Sequence, residues 1–265
     1  MKEPIEQVFI NYIDRHLSAA PDIDTFYHYT TVEALVNGII REDAAKGKEI
    51  CLRASHCRFM NDSEEIFRGR SIIANTLGKI RPQKTREYYF LDMKYRYENL
   101  YLISFSEQKD SLPMWNTYSN KSTGVAIGFK RFVSISLDDV VLKCVYDVKE
   151  ITHILDSHTD SEQEKFRFIL TSIYLPQIIK DEAYDYEREV RLIGRFDGTP
   201  IKFREKNGYV IPYKEFFFSA EQVSTIVLGP CYNQETAIFS LRQLLDNRGL
   251  QHVKIEKSTI PYRNI

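Results

Sequence analysis

Apolar residues at Ile5, Val8, Phe9, Tyr12, Ile13 and Leu17 recur at helical spacing behind Pro4, which suits a first helical position, so a peripheral helix over about 4–18 is expected. The pattern then shortens to the apolar run "TFYHY", a strand. Thr30 ends that run and Glu33 follows three residues later, the spacing of a capping box that opens a helix through "TVEALVNGII". "EICLRAS" reads as a second strand. Asn61 stands three residues before Glu64 and opens a helix to about Leu77, and another helix covers about 84–98. "LYLISFS" is a strand, "KDSLPMWNTYSN" a polar turn with a short helix, and "GVAIGF" and "VVLKCVYD" are strands. A long helix over 161–179 precedes "YEREVRLIG" and further short strands. "VSTIVLG", a helix over 234–248 and a final strand "HVKIEKS" complete the pattern. Strands and helices alternate loosely, without regular βαβ periodicity, which predicts an α+β fold; no linker or repeat divides it, so 1–265 reads as one domain.

Composition narrows the classes. The 36 basic and 37 acidic residues leave a net charge of −1, so no global field draws the chain to nucleic acid or an anionic membrane. A local group, Arg81, Lys84 and Arg86, could contact phosphates but reads rather as a solvated helix entry. Cys51, Cys57, Cys144 and Cys231 form no CxxC pair, and His56 in "CLRASHC" finds no second ligand pair, so reduced thiols and no metal are expected. "MKEPIEQVFINYIDRHL" carries charges throughout and resembles neither a signal peptide nor a membrane span, which points to the cytoplasm and to no membrane partner. With 17 Tyr and 16 Phe, some rings are available to line a cleft, while most pack.

No GxGxxG, P-loop, GxSxG or HExxH motif is present, so chemistry has to be read from three other segments. In "YDYEREVRLIG" a strand would place Glu187, Glu189 and Arg191 on one face and Arg188, Val190 and Leu192 on the other. Arg191 can neutralise one carboxylate; an ion-paired sheet face leaves the second without a named partner. In "FYHYT", His28 ends a strand before a capped helix, a position more often structural than functional. In "ISFSEQKDSLPMWNTYSN", Ser104 and Ser106 end a strand, and Trp115 and Tyr118 share a helix face, Trp115 packing on the sheet and Tyr118 standing at a cleft edge.

Together these segments resemble the ADP-ribosyltransferase superfamily, in whose diphtheria-toxin and poly-ADP-ribose-polymerase branch a strand His, a Tyr and a late strand Glu form the signature. "YHYTTVEALVNGI" is similar to the opening of the DNA-modifying ADP-ribosyltransferase toxins. Nearly the whole chain also resembles a large bacterial family of domains of unknown function, through "YHYT", "FMNDSEE", "SFSEQKDSLPMW", "YEREVRL", "VLGP" and "STIPYR". The superfamily resemblance implies a mixed, mostly antiparallel central sheet with flanking helices, and NAD as the substrate. It implies that His28 bonds the adenosine ribose, Tyr118 stacks on nicotinamide, and Ser104 or Ser106 supports that pocket, with Tyr29 and Thr30 beside them. Glu187 or Glu189 would be catalytic. The Glu-x-Glu spacing resembles the other branch of the superfamily and favours Glu189. A carboxylate stabilises the oxocarbenium-like ribose left by departing nicotinamide. Tyr29 stands where the polymerase branch has glycine. Arg191, outside the core motif, would lower the carboxylate pKa values or bind the pyrophosphate, and Arg53 is a phosphate candidate or a salt-bridged strand arginine. The implied activity is transfer of ADP-ribose to a macromolecule, protein or nucleic acid, or to water. A non-enzymatic binding module of a bacterial defence or stress system is the second reading, and a nucleic-acid enzyme the third.

Overall fold

The computed structural model describes residues 11, 17–19, 21–41, 49–60, 65–80, 99–120, 123–134, 139–156, 173–230 and 233–261. The expected helices over about 4–18 and 84–98, the Asn61 cap, the Arg81 group, Cys231 and the end of "STIPYR" lie outside them.

Among the described residues ten strands form one sheet: β1 (Thr25–Thr30), β2 (Glu49–His56), β3 (Tyr101–Ser106), β4 (Val125–Lys130), β5 (Asp139–Lys143), β6 (Glu189–Gly194), β7 (Lys202–Lys206), β8 (Tyr209–Ser219), β9 (Val223–Leu228) and β10 (Lys254–Lys257). The main path runs β10-β9-β4-β1-β3-β2-β8-β7, and β6 leaves it to pair with β3 and β5. Every strand pair is antiparallel except β9–β10. The helix Gln234–Asn247 joins those two strands, and a parallel pair needs a crossover of that kind. The fold is therefore α+β with a mixed, mostly antiparallel sheet and flanking helices, as the residue pattern and the resemblance led one to expect.

Helices cover the sheet where its strands turn apolar side chains outward. Leu241 and Leu245 of the Gln234–Asn247 helix join Phe26, Ile127, Phe129 and Phe218 in the largest buried cluster. There Phe105, Phe129, Phe132 and Phe218 pack ring against ring at centroid distances of 4.8–6.1 Å. On the other face, Ile73 of the helix Glu65–Ile80 and Ile151 of the helix Val148–Asp156 close over Leu142, Ile193 and Ile178. The short helix Leu112–Tyr118 seats Met114 and Trp115 on Tyr29, Ala126 and Val227. Trp115 is fully buried there, as its helix position implied.

The feature that positions the site is a split in the sheet. One edge of β3 pairs with β6 along its whole length, from Tyr101↔Gly194 to Ser106↔Glu189. Its other edge is shared: Tyr101 and Leu102 pair with β2, Ser106 pairs with β1, and on that edge Ile103, Ser104 and Phe105 have no strand partner among the described residues. The segment joining β1 to β2 wedges the two apart. It is a single α turn, Val32–Ala34, that widens into a π turn, Leu35–Ile39, and buries Leu35 and Ile39. Gly124 lets β4 start flush against the end of β1, because a Cβ there would stand 2.2 Å from the Thr30 carbonyl oxygen.

Four expectations need correction. The cap of that segment is Thr31, whose hydroxyl accepts from the Ala34 amide at 3.0 Å; Thr30 is still strand, paired with Val125, so the Thr30–Glu33 box does not form. "VVLKCVYD" is strand only to Lys143, and the helix Val148–Asp156 follows where the pattern indicated none. Of the expected helix over 161–179, residues 161–172 lie outside the described residues, and its last part differs: Leu175–Gln177 is a 3-10 turn and Ile179 forms a parallel bridge with Val145. "YEREVRLIG" is strand only from Glu189, because Glu182–Glu187 forms a 3-10 helix.

Candidate functional site

The break in "YEREVRLIG" shapes the site. Arg188 caps the 3-10 helix in a left-handed conformation, φ 43°, costly for a residue with a Cβ. A continuous strand would place Glu187 and Glu189 on one face about 7 Å apart. The left-handed residue instead folds Glu187 back, and both carboxylates converge on one ammonium group. That group is Lys180, whose Nζ bonds Glu187 Oε2 and lies 2.8 Å from Glu189 Oε2. Arg191 grips Glu189 with two bonds, Nε to Oε1 and Nη2 to Oε2, both 2.9 Å, and its Nη1 donates to the Gln177 carbonyl. Tyr118 donates its hydroxyl to Glu187 Oε1 at 2.7 Å.

Two carboxylates and two cations thus close into a neutral group in which no member is more than 8 % exposed. Burial alone would raise the Glu189 pKa, but Arg191 and Lys180 overcome it and hold the carboxyl at about 2. Burial pulls the Lys180 pKa down and the neighbouring Glu189 charge outweighs it, so the ammonium stays charged. The second carboxylate therefore has its partner in Lys180, which the sequence reading missed. Its signal was a single cation closing the apolar run "PQII", seven and nine residues before the two glutamates.

His28 occupies the split. Its Nδ1 lies 3.0 Å from the Ser104 carbonyl oxygen, the group on β3 that neither β1 nor β2 reaches. A carbonyl only accepts, so Nδ1 carries the proton and Nε2 of the neutral ring presents a lone pair. Burial lowers the His28 pKa below its ordinary 6.5, against the opposing pull of that carbonyl.

Around these groups lie two adjoining cavities that share His28, Tyr29, Met60, Ser104 and Tyr118. The first, about 110 Å³, holds Lys180, Tyr184, Glu187, Glu189 and Arg191. The second, about 270 Å³, holds Thr30, Arg53, Ser55, Arg204 and Lys206. The structure thus gathers His28, Tyr29, Thr30, Arg53, Ser104, Tyr118, Glu187, Glu189 and Arg191 around one composite cleft, and adds Lys180, Met60, Arg204 and Lys206.

Ser106, which lines neither cavity, and Tyr29 play a different part from the one expected. Ser106 is fully buried: its hydroxyl donates to the Glu187 carbonyl at 2.6 Å and accepts from the Gln108 amide at 3.0 Å. It holds the turn that carries Glu187 and has no surface for a ligand, which corrects its assignment as a binding residue. Tyr29 lines the cleft with its ring edge, while its hydroxyl donates to the Gln108 carbonyl at 2.9 Å and accepts from the Ser111 amide at 3.2 Å. Among the described residues Arg53 forms no salt bridge; its guanidinium lies over the Tyr213 ring at 5.1 Å.

Asp110 ties two of the sequence segments together. It accepts from Trp115 Nε1 at 2.6 Å, from Ser258 Oγ at 2.7 Å and from the Thr259 amide at 2.8 Å, so "KDSLPMW" and "STIPY" meet on one carboxylate behind the helix that bears Tyr118. Burial pushes the thiols of Cys51 and Cys57 up to about 11, which keeps both protonated at neutral pH. Among the described residues no three His, Cys, Asp or Glu side chains gather as metal ligands would, and no helix is long and apolar enough to cross a membrane.

Fold and site define an α+β protein with a split sheet and a buried, charge-compensated carboxylate pair at the split. Residues 114–192 match the model of a family described as a protein of unknown function, DUF2971. That stretch contains Trp115, Tyr118, Lys180, Glu187, Glu189 and Arg191, the helix and strand that face each other across the first cavity, and it supports the expected likeness to a family of domains of unknown function. No curated protein and no solved structure matches the chain.

Proposed function

We propose that this chain is a cytoplasmic NAD-consuming enzyme that breaks the bond between nicotinamide and ribose and passes ADP-ribose to a macromolecule or to water. One observation carries the reading: the open edge at the middle of β3, between β1 and β2, borders a cleft in which His28, Tyr118 and the Glu187–Glu189 pair meet. In this reading the bonding electrons leave with the nicotinamide nitrogen, and positive charge develops at the ribose C1′. A carboxylate bonded to a ribose hydroxyl stabilises that charge, and a fixed carboxylate needs no reorganisation to do so. The geometry favours a division of labour. Glu189, held by Arg191 and Lys180, positions the ammonium group; Glu187, bonded to the cleft residue Tyr118, touches the ribose. His28 Nε2 accepts from a ribose hydroxyl.

The test is release of nicotinamide from NAD, followed chromatographically, with cell extract supplying acceptors. Glu187→Gln is expected to lower release by about 100-fold while the thermal melt stays cooperative. Glu189→Gln lowers both release and melting temperature. Loss confined to Glu189→Gln transfers the catalytic role to that residue, and wild-type rates in both variants overturn the site. The second reading, a non-enzymatic binding module of a defence or stress system, draws on the complete pairing of the two carboxylates. NAD binding without nicotinamide release is the result that favours it.

A further inference from the structure

We propose that the second cavity is a binding site for a phosphate-bearing ligand, whose anionic group is gripped by Arg53 and Arg204 over the face of Tyr213, with Lys206 at the rim. Cross-strand register sets this up. Residues opposite one another in antiparallel strands share a sheet face, so Lys202↔Tyr213, Arg204↔Ile211 and Lys206↔Tyr209 place all three cations of β7 on the face that carries Arg53 and Ser55 of β2. Two carboxylates of β2 and β8 stand on that face: Glu49 at the far end of β2, and Glu215 opposite Arg53, which is already engaged by Arg41 at 3.0 Å and Lys202 at 2.8 Å. Arg53, Arg204 and Lys206 are left over. Among the described residues, none of the side chains lining the second cavity is acidic.

The two guanidiniums lie against one ring, at 5.1 Å and 5.9 Å from the Tyr213 centroid. Arg204 donates Nη2 to Ser55 Oγ at 2.8 Å, while its Nε is buried without a hydrogen-bond partner. Burial and the neighbouring Arg53 charge both lower the Arg204 pKa. Like charges side by side with an unspent donor are costly unless an anion joins them. Guanidinium forks bind carboxylate and phosphate alike, but three cations in a cavity of about 270 Å³ fit a multiply charged, extended group such as a phosphate ester or pyrophosphate. The proposal stands whether or not the first cavity turns over NAD.

The experiment is calorimetric titration with inorganic pyrophosphate, on the wild type and on Arg53→Gln/Arg204→Gln. Wild-type binding that weakens with added salt, and at least about tenfold weaker binding in the double variant, is the expected result. Lys206→Gln at the rim should cost about two- to threefold. If the double variant fails to melt cooperatively, Arg53→Gln alone carries the comparison, because Arg53 is exposed on its strand. Repeating the titration with NAD present separates two sources of the phosphate. Competition assigns the site to the pyrophosphate of NAD, simultaneous binding assigns it to a second phosphorylated molecule, and either supports the site. Failure of the wild type to bind pyrophosphate, or equal affinity in the folded variants, overturns it. Nicotinamide release is not part of this readout, so failure of the NAD reading leaves it intact.

Discussion

On the β6 side of the split, Lys180, Glu187, Glu189 and Arg191 close on one another. On the β2 side, Arg53, Arg204 and Lys206 line a larger space in which the described residues place no carboxylate. The same sheet face carries both groups, some strands apart. One is a finished object, every carboxylate oxygen bonded; the other carries surplus charge and an unused donor. A balanced buried group gains its stability from its own members and serves as a rigid frame, whereas a surplus of one sign is tolerated where solvent or a ligand completes it.

The largest effect that would break this contrast is expected from Lys180→Met. It leaves two buried carboxylates facing one guanidinium and should cost about 3–5 kcal/mol in chemical denaturation. Lys180→Met/Glu187→Gln should recover much of that loss, because Glu189 and Arg191 remain a matched pair. A loss below about 1 kcal/mol in the single variant would mean the group is solvated, and the contrast would fall.

Acid sharpens the same point. The Glu189 carboxyl is held at about 2, well below its ordinary 4.5. The ionised group stabilises the fold at pH values above that ordinary range. The stabilisation is lost as pH falls from about 4.5 toward 2, because the unfolded chain takes up the proton first. Glu189→Gln should flatten that acid limb in a pH series of thermal melts, and an unchanged limb would show that other carboxylates produce it.

The smallest expected effect lies in the other lobe. Arg53→Gln/Arg204→Gln should change ligand-free stability by less than about 1 kcal/mol, since it relieves repulsion as it removes packing on Tyr213. A loss comparable to that of Lys180→Met would make these arginines structural and erase the difference between the lobes.

Much of the architecture was legible along the chain. The apolar runs of β1, β3, β4 and β9 and the helices Leu112–Tyr118 and Gln234–Asn247 follow local pattern, and Trp115 packs as its helix position implied. Local signals failed where a neighbour decided the outcome. Thr31, not Thr30, caps its segment because pairing with Val125 keeps Thr30 in the strand. Glu187 left the strand because Arg188 turns left-handed, a choice no propensity favours. Ser106 looked like a pocket hydroxyl and is a buried brace.

The sequence by itself determined which residues could carry charge and shape to a site: His28, Tyr118, the Glu-x-Glu-x-Arg row and Arg53 all line one cleft. Periodicity and residue chemistry are local properties, so they can be read without knowing what lies across the fold. Only the tertiary structure decided that one edge of β3 is left without a strand at Ser104, that Lys180 returns to the two glutamates, and that Arg204 arrives beside Arg53 from a strand about 150 residues away. Strand order and the pairing of distant charges depend on long-range packing, which no window of sequence contains.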